Sequence, residues 1–236
     1  MTDLPPASAQ GNGDERSQPT PGWLRRTEAE QRWPAALAVA VAVAVHLLLP
    51  ADLAPRPRWL LPGLAAALLL SIVVVNPLRI NRETRFLRPL SIGLAAVLGI
   101  ATAWSAALLV RALFGHGGIE PSHLLLWGAA IWLTNVIVFA LWFWEGDRGG
   151  PAARADGRDP HPDFLFPQLT AGTLAPHDWE PEFFDYFYLS FTNATAFSPT
   201  DTMPMSTWAK VGMLTESAVS LVTVLLVVAR AVNVIG

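Results

Sequence analysis

The polar side chains best suited to chemistry gather between Tyr188 and Pro204, in the stretch YLSFTNATAFSPTDTMP. Asn193, Thr195, Ser198 and Thr200 offer amide and hydroxyl oxygens of the kind that replace water around a cation. The same groups suit a second task, satisfying irregular backbone at membrane depth. Pro199 stands among them, fixing φ and removing an N–H. Two roles fit Asp201: drawing cations to a vestibule, or capping a turn through backbone N–H groups. Glu216 lies about two turns inside the next apolar stretch, where an ionisable group is costly and points to pairing or to a conduction path. Ser220 follows on the same stretch. Arg230 and Arg111 lie near span ends, where long side chains reach the interface.

Few other chemistries are open to this chain. It has no Cys, which excludes thiolate, disulfide and Fe–S chemistry. His46, His116, His123, His161 and His177 are scattered without ligand spacing. No Ser-His-Asp, P-loop or Gly-rich nucleotide motif appears. The expectation is a non-enzyme with no metal and no cofactor. A net charge of −3 gives no pull toward nucleic acid. Hydrophobic residues make up 52% and charged residues 15%, with the charges segregated from long uncharged runs. That is the pattern of a multi-span membrane protein whose first partner is the lipid bilayer. Arginine far outnumbers lysine, of which Lys210 is the only one, and Ala and Pro are abundant; this suits a GC-rich bacterial genome and an inner-membrane location.

The elements that must position these residues follow from the apolar runs. Residues 1–32 are polar and rich in Pro and Gly, and are expected to form a disordered tail. Spans are predicted at Trp33–Leu49, Trp59–Val75 and Leu90–Phe114, a three-span bundle over 33–114, with Gly93 and Gly99 permitting close approach in the third. Arg79, Arg82, Arg85 and Arg88 crowd the connection between the second and third spans. A fourth span is predicted over 124–144, its Trp142-Phe143-Trp144 end suited to the interfacial belt, with Glu145 and Asp147 solvated beside it. Residues 145–180 read as a polar loop outside the hydrocarbon.

Pro181 opens a helix predicted over 181–197, with Glu180, Glu182 and Asp185 near its positive end. It is too short and too polar in its second half for a lipid-facing span, and suits a re-entrant helix packed inside protein. A turn is predicted over 196–201 and a final span over 206–235. The sequence therefore predicts an all-α membrane protein with five transmembrane helices plus one re-entrant pore-type helix, residues 121–236 forming a pore-like module.

Residues 186–230 resemble the pore module of potassium-selective channels, which reads like YFSFxTxTTVGYGDxxP before an inner helix. Tyr188, Ser190, Phe191, Thr195, Asp201 and Pro204 fall on matching positions without a gap, as do Glu216 and Arg230; Ser220 replaces a common glycine. The resemblance implies a pore helix, a filter turn and an inner helix, a tetramer, and a monovalent ion as ligand. The filter itself departs. Where the family has TVGYG this chain has Ala196, Phe197, Ser198, Pro199 and Thr200. Ser198 and the β-branched Thr200 resist the positive φ that glycine reaches freely, so a potassium-type filter is not expected. The layout as a whole resembles a bacterial integral-membrane family classed as a domain of unknown function. The matches lie at Arg79–Arg88, Trp142–Glu145, Asp163-Phe164 and Asp185–Asp201.

Three functional expectations follow: a channel-like protein with a non-potassium pore loop, a non-conducting structural or regulatory subunit, and a small-solute or proton-coupled transporter. The arginine bias puts the N-terminus in the cytoplasm. That places the re-entrant segment on the cytoplasmic face, opposite to the filter of potassium channels.

Overall fold

The computed structural model describes residues 30–75, 87–114, 121–158, 161–171, 174–176, 179–196 and 201–235. The tail before residue 30, the arginine-rich segment 76–86 and the turn residues Ser198, Pro199 and Thr200 lie outside them, as does the Arg230 side chain. The elements are α1 (Trp33–Leu48), α2 (Leu60–Val75), α3 (Leu87–Phe114), α4 (Pro121–Gly146), a 3-10 turn (Asp147–Gly149), α5 (Pro151–Ala155), β1 (Phe164–Leu165), α6 (Pro167–Thr170), α7 (Phe183–Ala196), β2 (Met203–Pro204) and α8 (Thr207–Ile235).

Helix boundaries follow local chemistry. Pro34 sits in the first turn of α1, where its missing N–H costs nothing. The helix stops at Leu49, which precedes Pro50 and takes φ −55° and ψ 140°, because proline disfavours the helical region one residue upstream. One stripe of α1 is buried, through Ala35, Val39, Ala42, Val43 and His46, while Leu37 and Leu48 face outward. Outward apolar residues recur on α2 and α8; Val74 and Leu214 are each 71% exposed. In water each such side chain would forgo about 1.5–3 kcal/mol of burial, and a bilayer removes that penalty. Stretches within α3, α4 and α8 are long and apolar enough to cross a membrane, and α1 and α2 are shorter apolar helices. The chain is a multi-pass membrane protein.

α4 is the central helix and packs against α1, α3, α7 and α8. Three glycines bring α4 and α8 close, one of them Gly146, where a Cβ would overlap the Trp208 ring. A Cβ on Gly128 would lie 2.7 Å from a Val227 methyl, and one on Gly212 would lie 2.9 Å from the Phe143 ring. Gly93 and Gly99 contribute less than their positions suggest. Nothing lies within 4 Å of a Cβ on Gly93, and Gly99 meets only ordinary contacts at 3.5 Å.

α7 and α8 run side by side in the same direction. Phe164 packs edge-on against Tyr186 near the start of α7 and against Trp208 near the start of α8, with centroids 6.3 and 5.5 Å apart. Deeper, Ser190 meets Glu216, and the Ala194 carbonyl accepts from Ser220. Consecutive parallel helices require a connection that comes back. β2 lies again at the level of the helix starts, paired antiparallel with β1 through Phe164↔Pro204 and Leu165↔Met203. The 14 residues of α7 are about 21 Å long. The chain between Ala196 and Met203 can reach about 25 Å when extended, enough to cover that length.

Candidate functional site

The polar residues of α7 and α8 form a buried seam. Glu216 is fully buried, with the Ser190 hydroxyl at one carboxyl oxygen and the Asn193 amide donating to the other at 2.7 Å. Asn193 also donates to the Met213 carbonyl at 3.0 Å, and the Ser217 hydroxyl donates to its Oδ1 at 3.2 Å. Ser220 accepts from the Trp132 indole of α4 and donates to the Ala194 carbonyl at 2.9 Å. The spacing explains the cluster. Asn193 and Ser190 lie three apart on α7, and Glu216 and Ser220 four apart on α8, so each pair shares a helix face.

Proton counting points to a neutral acid at this seam. Ser190 Oγ lies 2.7 Å from the Val136 carbonyl and also within hydrogen-bond distance of Glu216 Oε1. Two oxygens face a hydroxyl that owns one proton. A neutral Glu216 supplies the second: its acid O–H donates to Ser190, and Ser190 donates to Val136.

A second cluster caps the helix starts. Asp147, fully buried, accepts the Asp163 N–H at 2.8 Å, the Phe164 N–H at 3.3 Å and the Tyr186 hydroxyl at 2.5 Å. Arg154, also buried, donates to the carbonyls of Trp144 and Asp147 at 2.6 and 3.0 Å, and its guanidinium lies 4.9 Å above the Tyr186 ring. Arg148 adopts φ 51° and pairs with Glu180 at 3.1 Å, while its N–H reaches Asp163. Asp163 also accepts the Trp208 indole N–H at 2.7 Å and so holds the start of α8. Glu30 accepts from the Phe183 N–H at 2.5 Å and the Trp144 indole at 2.8 Å, satisfying a donor that the first turn of α7 leaves open. Burial raises the carboxyls of Glu30 and Glu180 above their ordinary range, against the lowering effect of Phe183 and Trp144 on Glu30 and of Arg148 and Arg154 on Glu180.

The structure brings together three of the predicted site residues, Asn193, Glu216 and Ser220. Thr195 stays apart: it is exposed, and its hydroxyl donates to the Phe191 and Thr192 carbonyls of its own helix. Asp201 is exposed near β2. Several expectations are corrected. Glu145 and Asp147 are not solvated at a span end; they are 7% and 0% exposed, because the following chain folds back over them. Of the aromatic end of α4 only Trp142 faces outward, while Phe143 and Trp144 pack inside. The residues just before α1 are not loose: Arg32 is buried and Glu30 binds two helices. The connection after α4 is folded into short elements instead of running as an open loop.

The cap was hidden because Gly, Pro and Asp in EGDRGGPAARADGRDPHPDF read as solvent-exposed turn chemistry. Most of its contacts join residues 15 to 153 positions apart. Among the described residues no group of His, Asp and Glu has the arrangement of a metal site. No family model, curated protein or solved structure matches the chain.

Proposed function

We propose that this protein is a channel-like membrane protein on a pore-loop plan. α7 enters the bilayer from the capped side, the chain turns back after Ala196, and α8 crosses, with several copies arranged around a shared axis. One observation carries the reading: α7 and α8 start together beneath the cap and run in parallel, with β2 returned to the cap between them. A helix that dips in and comes back accounts for this arrangement. The ligand is a small ion other than one held by a potassium-type filter, because Ser198, Pro199 and Thr200 oppose the dihedrals such a filter needs. The arginine bias places the cap in the cytoplasm.

A second reading, a non-conducting structural or regulatory subunit, draws on a different observation. The Ser190 hydroxyl and the Asn193 amide are turned toward α4 and α8 and are occupied there. Reconstituted liposomes distinguish the two. The channel reading expects rubidium, sodium or chloride flux above empty vesicles and an oligomeric mass in detergent, with cation flux reduced in Asp201→Asn. An oligomer without flux leaves the second reading. A monomer without flux at any voltage or pH ends the first.

A further inference from the structure

A cavity opens between α1, α2, α3 and the end of α4, on the side where α1 begins. Its mouth carries Arg32, Arg88, Ser91 and Glu145, and apolar side chains such as Val39, Ile72 and Leu94 line its depth. From Arg32 to Val39 it extends about 10 Å along α1. A charged mouth over an apolar slot has the form of an amphiphile.

The mouth holds an open donor. Arg32 is only 8% exposed; its Nη1 donates to the Ile72 carbonyl at 3.2 Å, while among the described residues its Nε has no partner. Buried donors are rarely left unpaired, and a guanidinium stays charged when buried. Arg88 lies on the exposed rim, its Nη atoms 3.9 Å from where a Cβ would stand on Gly149. Among the described residues Glu145 is the one carboxyl lining the mouth, and it lies near Arg154, Arg32 and Arg88, so their positive charge is only partly cancelled. Basic pockets between helices at a membrane surface recruit anionic headgroups.

We propose that this cavity holds one anionic phospholipid from the surrounding bilayer, its phosphate at Arg32 and Arg88 and an acyl chain between α1, α2 and α3. The shape argues for a lipid over a free anion, because free phosphate would answer the arginines and leave the apolar slot empty. The site is independent of whether the protein conducts.

The test uses the full chain in detergent with added phosphatidylglycerol, phosphatidylcholine or inorganic phosphate, followed by native mass spectrometry and thermal melting. Phosphatidylglycerol is expected to stay bound and to raise the melting temperature, and the other two to do neither. Arg88→Gln, at an exposed position, should weaken phosphatidylglycerol binding about fivefold. Ala36→Phe, which fills the slot without changing charge, should abolish it. The proposal is overturned if phosphatidylcholine binds equally well, if inorganic phosphate alone stabilises the protein as much, or if both variants bind phosphatidylglycerol like the wild type.

Discussion

Replacing Asp147 with alanine is expected to cost about 3–5 kcal/mol of stability, the largest loss among single changes considered for this chain. The side chain is fully buried and accepts three hydrogen bonds, two from backbone N–H groups and one from Tyr186. Truncation leaves those donors facing a void and removes an anion near the Arg154 guanidinium. Each orphaned buried group costs about 1–3 kcal/mol, and breaking up a buried charge cluster adds to that. Asp147→Asn keeps the shape and one acceptor for the two N–H groups, and the Tyr186 hydroxyl can accept from the new amide. Its cost should be about 1–2 kcal/mol. Thermal melts in detergent read both. The alanine variant should melt about 10 °C lower or more, and the asparagine variant only a few degrees lower. Equal melting of the alanine variant and the wild type would mean that the cap does not hold the helix starts together.

Changes at Glu216 should separate by chemistry instead of by size alone. Glu216→Gln is expected to stay within about 1 kcal/mol of the wild type, because a neutral amide reproduces both halves of the neutral acid. Its NH2 donates to Ser190 and its oxygen accepts from Asn193. Glu216→Ala loses both bonds, leaves one Asn193 N–H without a partner and opens a cavity between α7 and α8, at a cost of about 2–4 kcal/mol. The proton count adds a spectroscopic outcome. The infrared carbonyl band of a protonated carboxylic acid should be present in the wild type near neutral pH and weaker in Glu216→Gln. If the glutamine variant is as damaged as the alanine variant, Glu216 is a charged group and the counting argument fails.

The two sites differ in how far the sequence revealed them. Three residues of the seam stood out singly in the sequence, though not their meeting, because each signal is local. Glu216 stood out as an ionisable group inside an apolar run, Ser220 lies four residues on along the same helix, and Asn193 stood out as a polar amide in the short segment before the turn. The long helices were legible for a related reason: an apolar run in lipid has helix as its usual way to satisfy its own backbone, and observed ends differ from expected ones by a few residues. α7 begins at Phe183, two residues inside the expected start, where Asp185 Oδ2 accepts the Glu182 N–H.

The cap was not legible. Asp147 has no periodic partner; its ligands come from 163, 164 and 186, and only the fold brings them together. Arg154, in a short run that reads as loop, lies over Tyr186, which reads in sequence as one more aromatic on a helix face. Composition describes what a segment tolerates, and says little about which distant residue will fold over it. The glycine contacts repeat the lesson. Gly93 and Gly99 had a pattern suited to helix contacts, yet the close approaches fall at Gly128, Gly146 and Gly212, where the facing residues are a valine, a tryptophan and a phenylalanine.

The claim on which the functional reading rests is that α7 enters the membrane and returns to the side it came from. The absence of cysteine makes it directly measurable. Single cysteines at the exposed positions Glu182, Met203 and Asp52 can be labelled in sealed, oriented membranes with an impermeant maleimide. Positions 182 and 203 should react from the same side and position 52 from the other. Labelling of 182 and 203 from opposite sides would make α7 a complete crossing and contradict the account.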